Sequence, residues 1–255
     1  CVLAPVVARL FAPEAFGELA TFMAITSIIG VMSSFRYGMA IVLPKEDAEA
    51  YSITIISIIF LRLISLITLL CVSIFLNFSA PLIRFNQSTS IYYLLPVSVF
   101  LTGFIQVFSY WSVRLKRFKR NALARVGNAA GNTGTGILIG IILHGGGVGL
   151  ILAFIASLVA NLYILIYREI YVFLAKWKEF SIKEGLALIK KYRKYPLINT
   201  PHSIIGALKN NGIVLIIKEL YGNHILGSYS FAYRIIGIPT SVISSSISQV
   251  FFQKA

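Results

Sequence analysis

ILGSYSFAYRIIGIPTSVISSSISQVFF, residues Ile225 to Phe252, is long and apolar enough to cross a bilayer as a helix, yet carries an arginine nine residues in. At roughly 1.5 Å per residue, Arg234 lies about 13 Å along the span, where a charged side chain costs on the order of 2.5 to 3.5 kcal/mol. Such a residue is expected to face protein or water. Ser230, Arg234, Gly237, Ser241, Ser245 and Ser248 recur at spacings of three or four and form one small, polar face, while Ile235, Ile236, Ile238, Val242, Ile243 and Ile247 fall mostly elsewhere. Pro239 removes a backbone hydrogen bond in mid-span, which a membrane helix tolerates where neighbours or water satisfy the freed carbonyl. The stretch reads as a bent transmembrane helix that lines a cavity.

The composition extends that reading to the whole chain. Of 255 residues, 57% are apolar and 13% charged, with a mean hydropathy of +0.82, outside the balance of soluble domains. The fold class is therefore all-α, a polytopic transmembrane helix bundle. Lysine and arginine number 23 against 9 acids, and the net charge of +14 implies an anionic partner or an anionic membrane surface. Nucleic acid is disfavoured as a partner, because the basic residues lie beside or inside apolar runs. Cys1 and Cys71 sit far apart in apolar segments and read as small hydrophobes, implying neither disulfide nor metal.

Apolar runs of spanning length occur at Ala15 to Phe35, Tyr51 to Phe78, Tyr92 to Val113, Ala122 to Leu143, Val148 to Tyr167, Pro196 to Leu220 and Ile225 to Phe252. With a truncated helix at Cys1 to Phe11, eight helices are expected. Five basic residues fall in Arg114 to Arg120 and eight in Arg168 to Lys194, so these links are expected in the cytoplasm, and the links at 12–16, 78–90, 144–147 and 221–224 outside. The long link divides the chain into a first transmembrane lobe (1–167), a linker (168–195) and the start of a second lobe (196–255). Within it, Ser181 and Glu184 have capping-box spacing, and Ile182, Leu186 and Ile189 form an apolar stripe opposite lysines, the pattern of a helix on the cytoplasmic membrane face.

Two further patterns concern the interior. Gly127, Gly131, Gly136 and Gly140 favour close helix packing, while Asn121, Arg125, Asn128, Asn132 and Thr135 make a polar stripe on the same span that suits a cavity better than lipid. Arg62, Lys209 and Arg234 lie deep in spans, with Arg36 and Arg125 nearer span ends, whereas Glu18 and Glu219 are the only acids at comparable positions. Snorkelling to headgroups remains an alternative for Arg36 and Arg125. Cations in such excess suit a charged ligand, and guanidinium groups favour phosphate through paired hydrogen bonds. Catalytic patterns are poor. HGGG at His144 to Gly147 lacks the serine elbow of a hydrolase and fits a tight turn, and His202 reads as a polar helix contact. No enzyme activity and no cofactor is expected.

Five stretches carry a resemblance: RLFAPEAFGELATF (Arg9 to Phe22), RYGMAIVLPK (Arg36 to Lys45), YWSVRLKRFKRNALARV (Tyr110 to Val126), KKYRKYPLINTP (Lys190 to Pro201) and YSFAYRIIGIPTSVISSSISQVFFQKA (Tyr229 to Ala255). In order and in helix count the chain resembles bacterial oligosaccharide flippases of the Wzx type, in the multidrug/oligosaccharidyl-lipid/polysaccharide exporter superfamily. The resemblance implies two lobes of six helices around a cavity that opens alternately to each side. It implies, as cargo, a polyprenyl-pyrophosphate-linked oligosaccharide for surface polysaccharide such as O-antigen, capsule or exopolysaccharide, in the inner membrane, among membrane lipids and other assembly proteins. By likeness to lipid II flippases, Arg36 and Arg234 match cavity arginines, with Arg9 a third; the family's usual acid is replaced by Gly38. The candidate cavity residues are thus Arg9, Arg36, Arg62, Arg125, Asn128, Asn132, Lys209 and Arg234. A drug or cation antiporter would need carboxylates in its spans, and a polymerase or ligase a large external loop; this sequence has few of the first and lacks the second.

Overall fold

The computed structural model describes residues 10–79, 87–143, 146–167, 169, 171, 173, 177 and 180–254; of Arg234, Ile235 and residues 237–254 only the backbone is described. The described residues fold into helices α1 (Pro13–Met32), α2 (Asp47–Ser79), α3 (Leu95–Arg114), α4 (Phe118–Leu143), α5 (Gly147–Ile166), α6 (Ile182–Lys191) and α7 (Thr200–Lys254), with shorter turns of helix at Tyr37–Ala40, Gln87–Leu94 and Tyr195–Asn199. Among them, Pro13–Met32, Asp47–Asn77, Ile91–Arg114 and Gly147–Ile166 are long and apolar enough to cross a membrane. This is an all-α polytopic membrane bundle.

Local chemistry explains where the helices start and stop. Pro13 opens α1 with a preset φ and Glu14 adds a favourable charge to its first turn. The span expected to reach Phe35 ends at Met32, because Phe35 (φ 45) and Arg36 (φ 57) both take left-handed backbone, which costs non-glycine residues roughly 1–3 kcal/mol each. Packing holds the break in place. Phe35 and Tyr37 both set their rings against Phe60 of α2, at 5.2 and 5.5 Å between centroids. Leu63, Leu66, Leu70 and Ile74 of α2 recur every three or four residues and face outward, the lipid-facing band of a long span.

Helices α4 and α5 form an antiparallel pair whose contact is built from small residues. Gly127 meets Ile164, Gly131 lies under Ser157, the Thr135 hydroxyl donates to the Ala153 carbonyl at 3.3 Å, and Gly149 meets Ile139. The expected tight packing is thus present between Gly127 and Ile139, although Gly134 and Gly136 face open space and Gly140 meets Phe11. Two apolar cores fill the bundle. One joins Phe11, Phe16, Phe22, Leu95, Leu150 and Phe154; the other joins Ile41, Ile53, Phe108, Trp111, Leu165 and Phe173. Hydroxyls stitch the helices between them, with buried Thr26 and Ser98 3.0 Å apart and half-buried Ser65 donating to the Pro96 carbonyl at 2.9 Å.

The connections sort into two ends. At one, Phe11 lies against Gly140 and Gly149, Glu18 against Gly147, Glu14 is 4.0 Å from His224, and Lys218 reaches the Tyr92 hydroxyl at 3.2 Å. At the other, Arg114 holds the 41–47 link, Arg117 and Arg120 hold Glu169, and Lys191 holds Glu49. Links expected on opposite sides of a membrane therefore lie at opposite ends of the bundle. The pair of spans expected at Pro196 to Leu220 and Ile225 to Phe252 is one helical run interrupted at Gly222 (φ 76, ψ 179), a conformation only glycine adopts cheaply, inside the expected 221–224 link.

Candidate functional site

Arg36 sits at the break after α1. It is half-buried, and its Nε is shut away from solvent with no hydrogen-bond partner among the described residues. A buried guanidinium nitrogen left without an acceptor is costly, on the order of 1–3 kcal/mol or more. Next to it, Gly38 is buried beneath Tyr110, and a Cβ there would lie 3.3 Å from the ring. Tyr110 thus packs closely against the Gly38 backbone, and Arg36 has no acidic partner among the described residues.

Arg62 takes a different place from the one expected. Its guanidinium lies 5.3 Å from the ring centroid of Trp177, a cation–π contact, so it is not a bare cation in mid-span. The reason lies one turn earlier in the linker. Phe173 is buried against Tyr51, Phe108 and Trp111, with centroids 5.0 to 5.1 Å apart, which draws the segment after α5 alongside α2 instead of out into solvent. The signal was present in the aromatic and aliphatic run after Tyr167, masked by the neighbouring lysines.

The polar stripe of α4 splits. Asn121 donates to the Ser109 carbonyl at 3.1 Å and Thr135 to the Ala153 carbonyl, so both ends of the stripe face neighbouring helices and not a cavity. Between them, Asn128 and Asn132 are half-buried and Arg125 is exposed, and none of the three has a partner among the described residues. Lys209 on α7 is likewise exposed and unpaired among them. Among the described residues, Arg125, Asn128, Asn132 and Lys209 thus have no partner, Arg36 keeps an unpaired Nε, and Arg62 meets Trp177. Arg9 and the Arg234 side chain lie outside the described residues.

The linker helix α6 closes over the Arg36 end. Ser181 stands at its N-cap, but its side chain makes no capping bond. The Tyr37 hydroxyl donates to the Ile189 carbonyl at 3.3 Å, and Glu49 of α2 accepts from Lys191 at 2.5 Å and from Tyr192 at 3.2 Å. The Glu49 hydrogen bond raises the Lys191 ammonium above the ordinary lysine range, and burial raises the Tyr192 phenol. At the opposite end, α1 and α7 touch through backbone: a Cβ on Gly17 would overlap the Asn223 carbonyl, and one on Gly227 the Pro13 carbonyl. Phe16 and Phe231 seal this crossing at 5.4 Å between centroids. Neither the Arg62–Trp177 contact nor the bond from Lys218 to Tyr92 could be read from spacing, since each joins residues more than a hundred positions apart.

Helices of spanning length and a bundle with two distinct ends, one of them rich in basic side chains, define a polytopic membrane protein. The chain belongs to the polysaccharide biosynthesis protein family, whose sequence profile matches residues 1–252. No curated protein and no solved structure gives a significant match.

Proposed function

We propose that the protein is a flippase that carries a polyprenyl-pyrophosphate-linked oligosaccharide across the bacterial inner membrane for surface polysaccharide assembly. The observation that carries this reading is Arg36, held by a strained helix break with a buried nitrogen that nothing in the described residues satisfies. A pyrophosphate crossing hydrocarbon alone faces a very large desolvation cost, and a guanidinium inside the bundle offsets it while the polyprenyl tail stays in lipid. Arg125, Lys209 and Arg234 would add charge along the path, with Asn128 and Asn132 and the serine-rich face around Arg234 leaving room for sugar. In this scheme the basic end of the bundle faces the cytoplasm, in line with the positive-inside rule.

Alternating access then requires the two ends to open in turn. The Gly17–Gly227 crossing is the outer gate in its closed state, and α6 with its lysines belongs to the inner gate. Transport of labelled lipid-linked sugar into vesicles tests the reading through Arg36. Arg36→Lys should retain transport and Arg36→Gln should lower it on the order of ten- to a hundredfold at equal membrane abundance, the loss expected for a charge-assisted phosphate contact. Full transport by Arg36→Gln would overturn it.

A further inference from the structure

A second cationic site lies away from Arg36, where two spans end together. The spans Ile91–Arg114 and Gly147–Ile166 finish on the same side, so the residues that follow Arg114 and Ile166 stand at the level where hydrocarbon gives way to headgroups. Between these ends opens a cavity of about 840 Å³. Its apolar lining is made by Phe118 and Leu123 of α4 and Ile164 of α5 with Tyr167 just beyond, and Phe118, Leu123 and Tyr167 are exposed. Its rim is basic.

Two of the rim cations are already engaged. Arg117 and Arg120 both bind the carboxylate of Glu169, which is almost fully buried, and Arg120 also donates to the Ile164 carbonyl at 2.9 Å. Lys116 and Lys119 are exposed and have no partner among the described residues, and Lys116 sits on a left-handed turn (φ 55) that separates α3 from α4. Among the described residues a single carboxylate thus faces four cations, and the excess charge borders an apolar wall at headgroup depth. Free anions in water would be drawn to the lysines but would gain nothing from Leu123, Ile164 and Tyr167. A molecule with a phosphate and an acyl chain satisfies both halves.

We propose that this cavity binds an anionic phospholipid of the surrounding bilayer, its phosphodiester between Lys116 and Lys119 and an acyl chain along Leu123, Ile164 and Tyr167. The site is separate from Arg36 and does not depend on the transport reading. It supplies a lipid anchor for the α3–α4 turn, beside the contacts of Arg114, Arg117 and Arg120 and the packing of Leu115 on the core.

The test titrates the purified protein in detergent with short-chain phosphatidylglycerol, phosphatidylcholine or inorganic phosphate, read by native mass spectrometry. Phosphatidylglycerol should remain bound and phosphatidylcholine should not, and inorganic phosphate should fail to displace it. The Lys116→Gln/Lys119→Gln double variant should weaken phosphatidylglycerol binding roughly thirtyfold, from the contribution of each surface lysine near anionic lipid, with its unfolding midpoint in lipid-free detergent unchanged. Equal retention of phosphatidylcholine would show an apolar groove only. Complete displacement by phosphate would show a free-anion site. Either result, or unaltered phosphatidylglycerol binding in the double variant, overturns the proposal.

Discussion

The two ends of the bundle are held by different physics. At the basic end, long side chains reach across gaps: Arg114 ties the 41–47 link through two carbonyls and Asp47, Arg117 and Arg120 share Glu169, and Lys191 and Tyr192 share Glu49. At the other end, α1 and α7 meet through bare backbone at Gly17 and Gly227, with Phe16 on Phe231 beside them. Flexible side chains exchange partners as helices move, each exchange being small in energy. A glycine crossing is either seated or lost, because the contact exists only at backbone distance. The two ends therefore differ in how a substitution acts on them: by degrees at the basic end, all at once at the glycine crossing.

The comparison breaks most sharply at Gly227. A valine there would drive its Cβ into the Pro13 carbonyl, and with backbone on both sides nothing short of helix separation relieves it, at a cost on the order of 3 kcal/mol or more. Gly227→Val should abolish disulfide cross-linking between cysteines placed at Glu14 and His224, while Gly136→Val, facing open space, should leave it intact. If the Gly227 variant still cross-links fully, the seated crossing is not what closes this end.

At the basic end the effects are smaller and graded. Arg114 has a side chain only 9% exposed and donates to the Ile41 and Pro44 carbonyls at 3.1 and 2.6 Å, so Arg114→Ala should cost about 2–3 kcal/mol in reversible unfolding in detergent. Asp47, 71% exposed, contributes the weaker half of that contact, and Asp47→Asn should cost under ~1 kcal/mol. Comparable losses in the two variants would mean the ion pair, and not the carbonyl bonds, holds the link.

The smallest effect is expected at Lys191, whose side chain is largely exposed. Lys191→Ala should raise backbone hydrogen exchange across Ile182–Lys191 a few-fold and leave the global unfolding midpoint unchanged. An unchanged exchange rate would show that Tyr37 and Tyr192 alone hold α6 to the bundle.

Much of this was legible in the chain. Runs such as Tyr51 to Phe78 announced spanning helices by length and hydropathy alone, since hydrocarbon accepts only segments that satisfy their own backbone. The link between the last two spans was readable at 221–224, where Gly222 breaks the helix, and the glycines of α4 announced its close pairing with α5. Those properties are local: they depend on composition within one segment and on the period of the helix. Which cations stay free is not local. Arg62 read as an unpaired charge and meets Trp177, and Asn121 and Thr135 read as cavity lining and bond to neighbours, because a partner comes from whichever helix packs alongside. The sequence by itself determined the helices, the basic clustering and the candidates for an anion; only the tertiary structure decided that Arg36 Nε finds no acceptor among the described residues, that Phe173 pulls the linker inward and that Gly17 faces Gly227, since each of these depends on segments far apart in the chain.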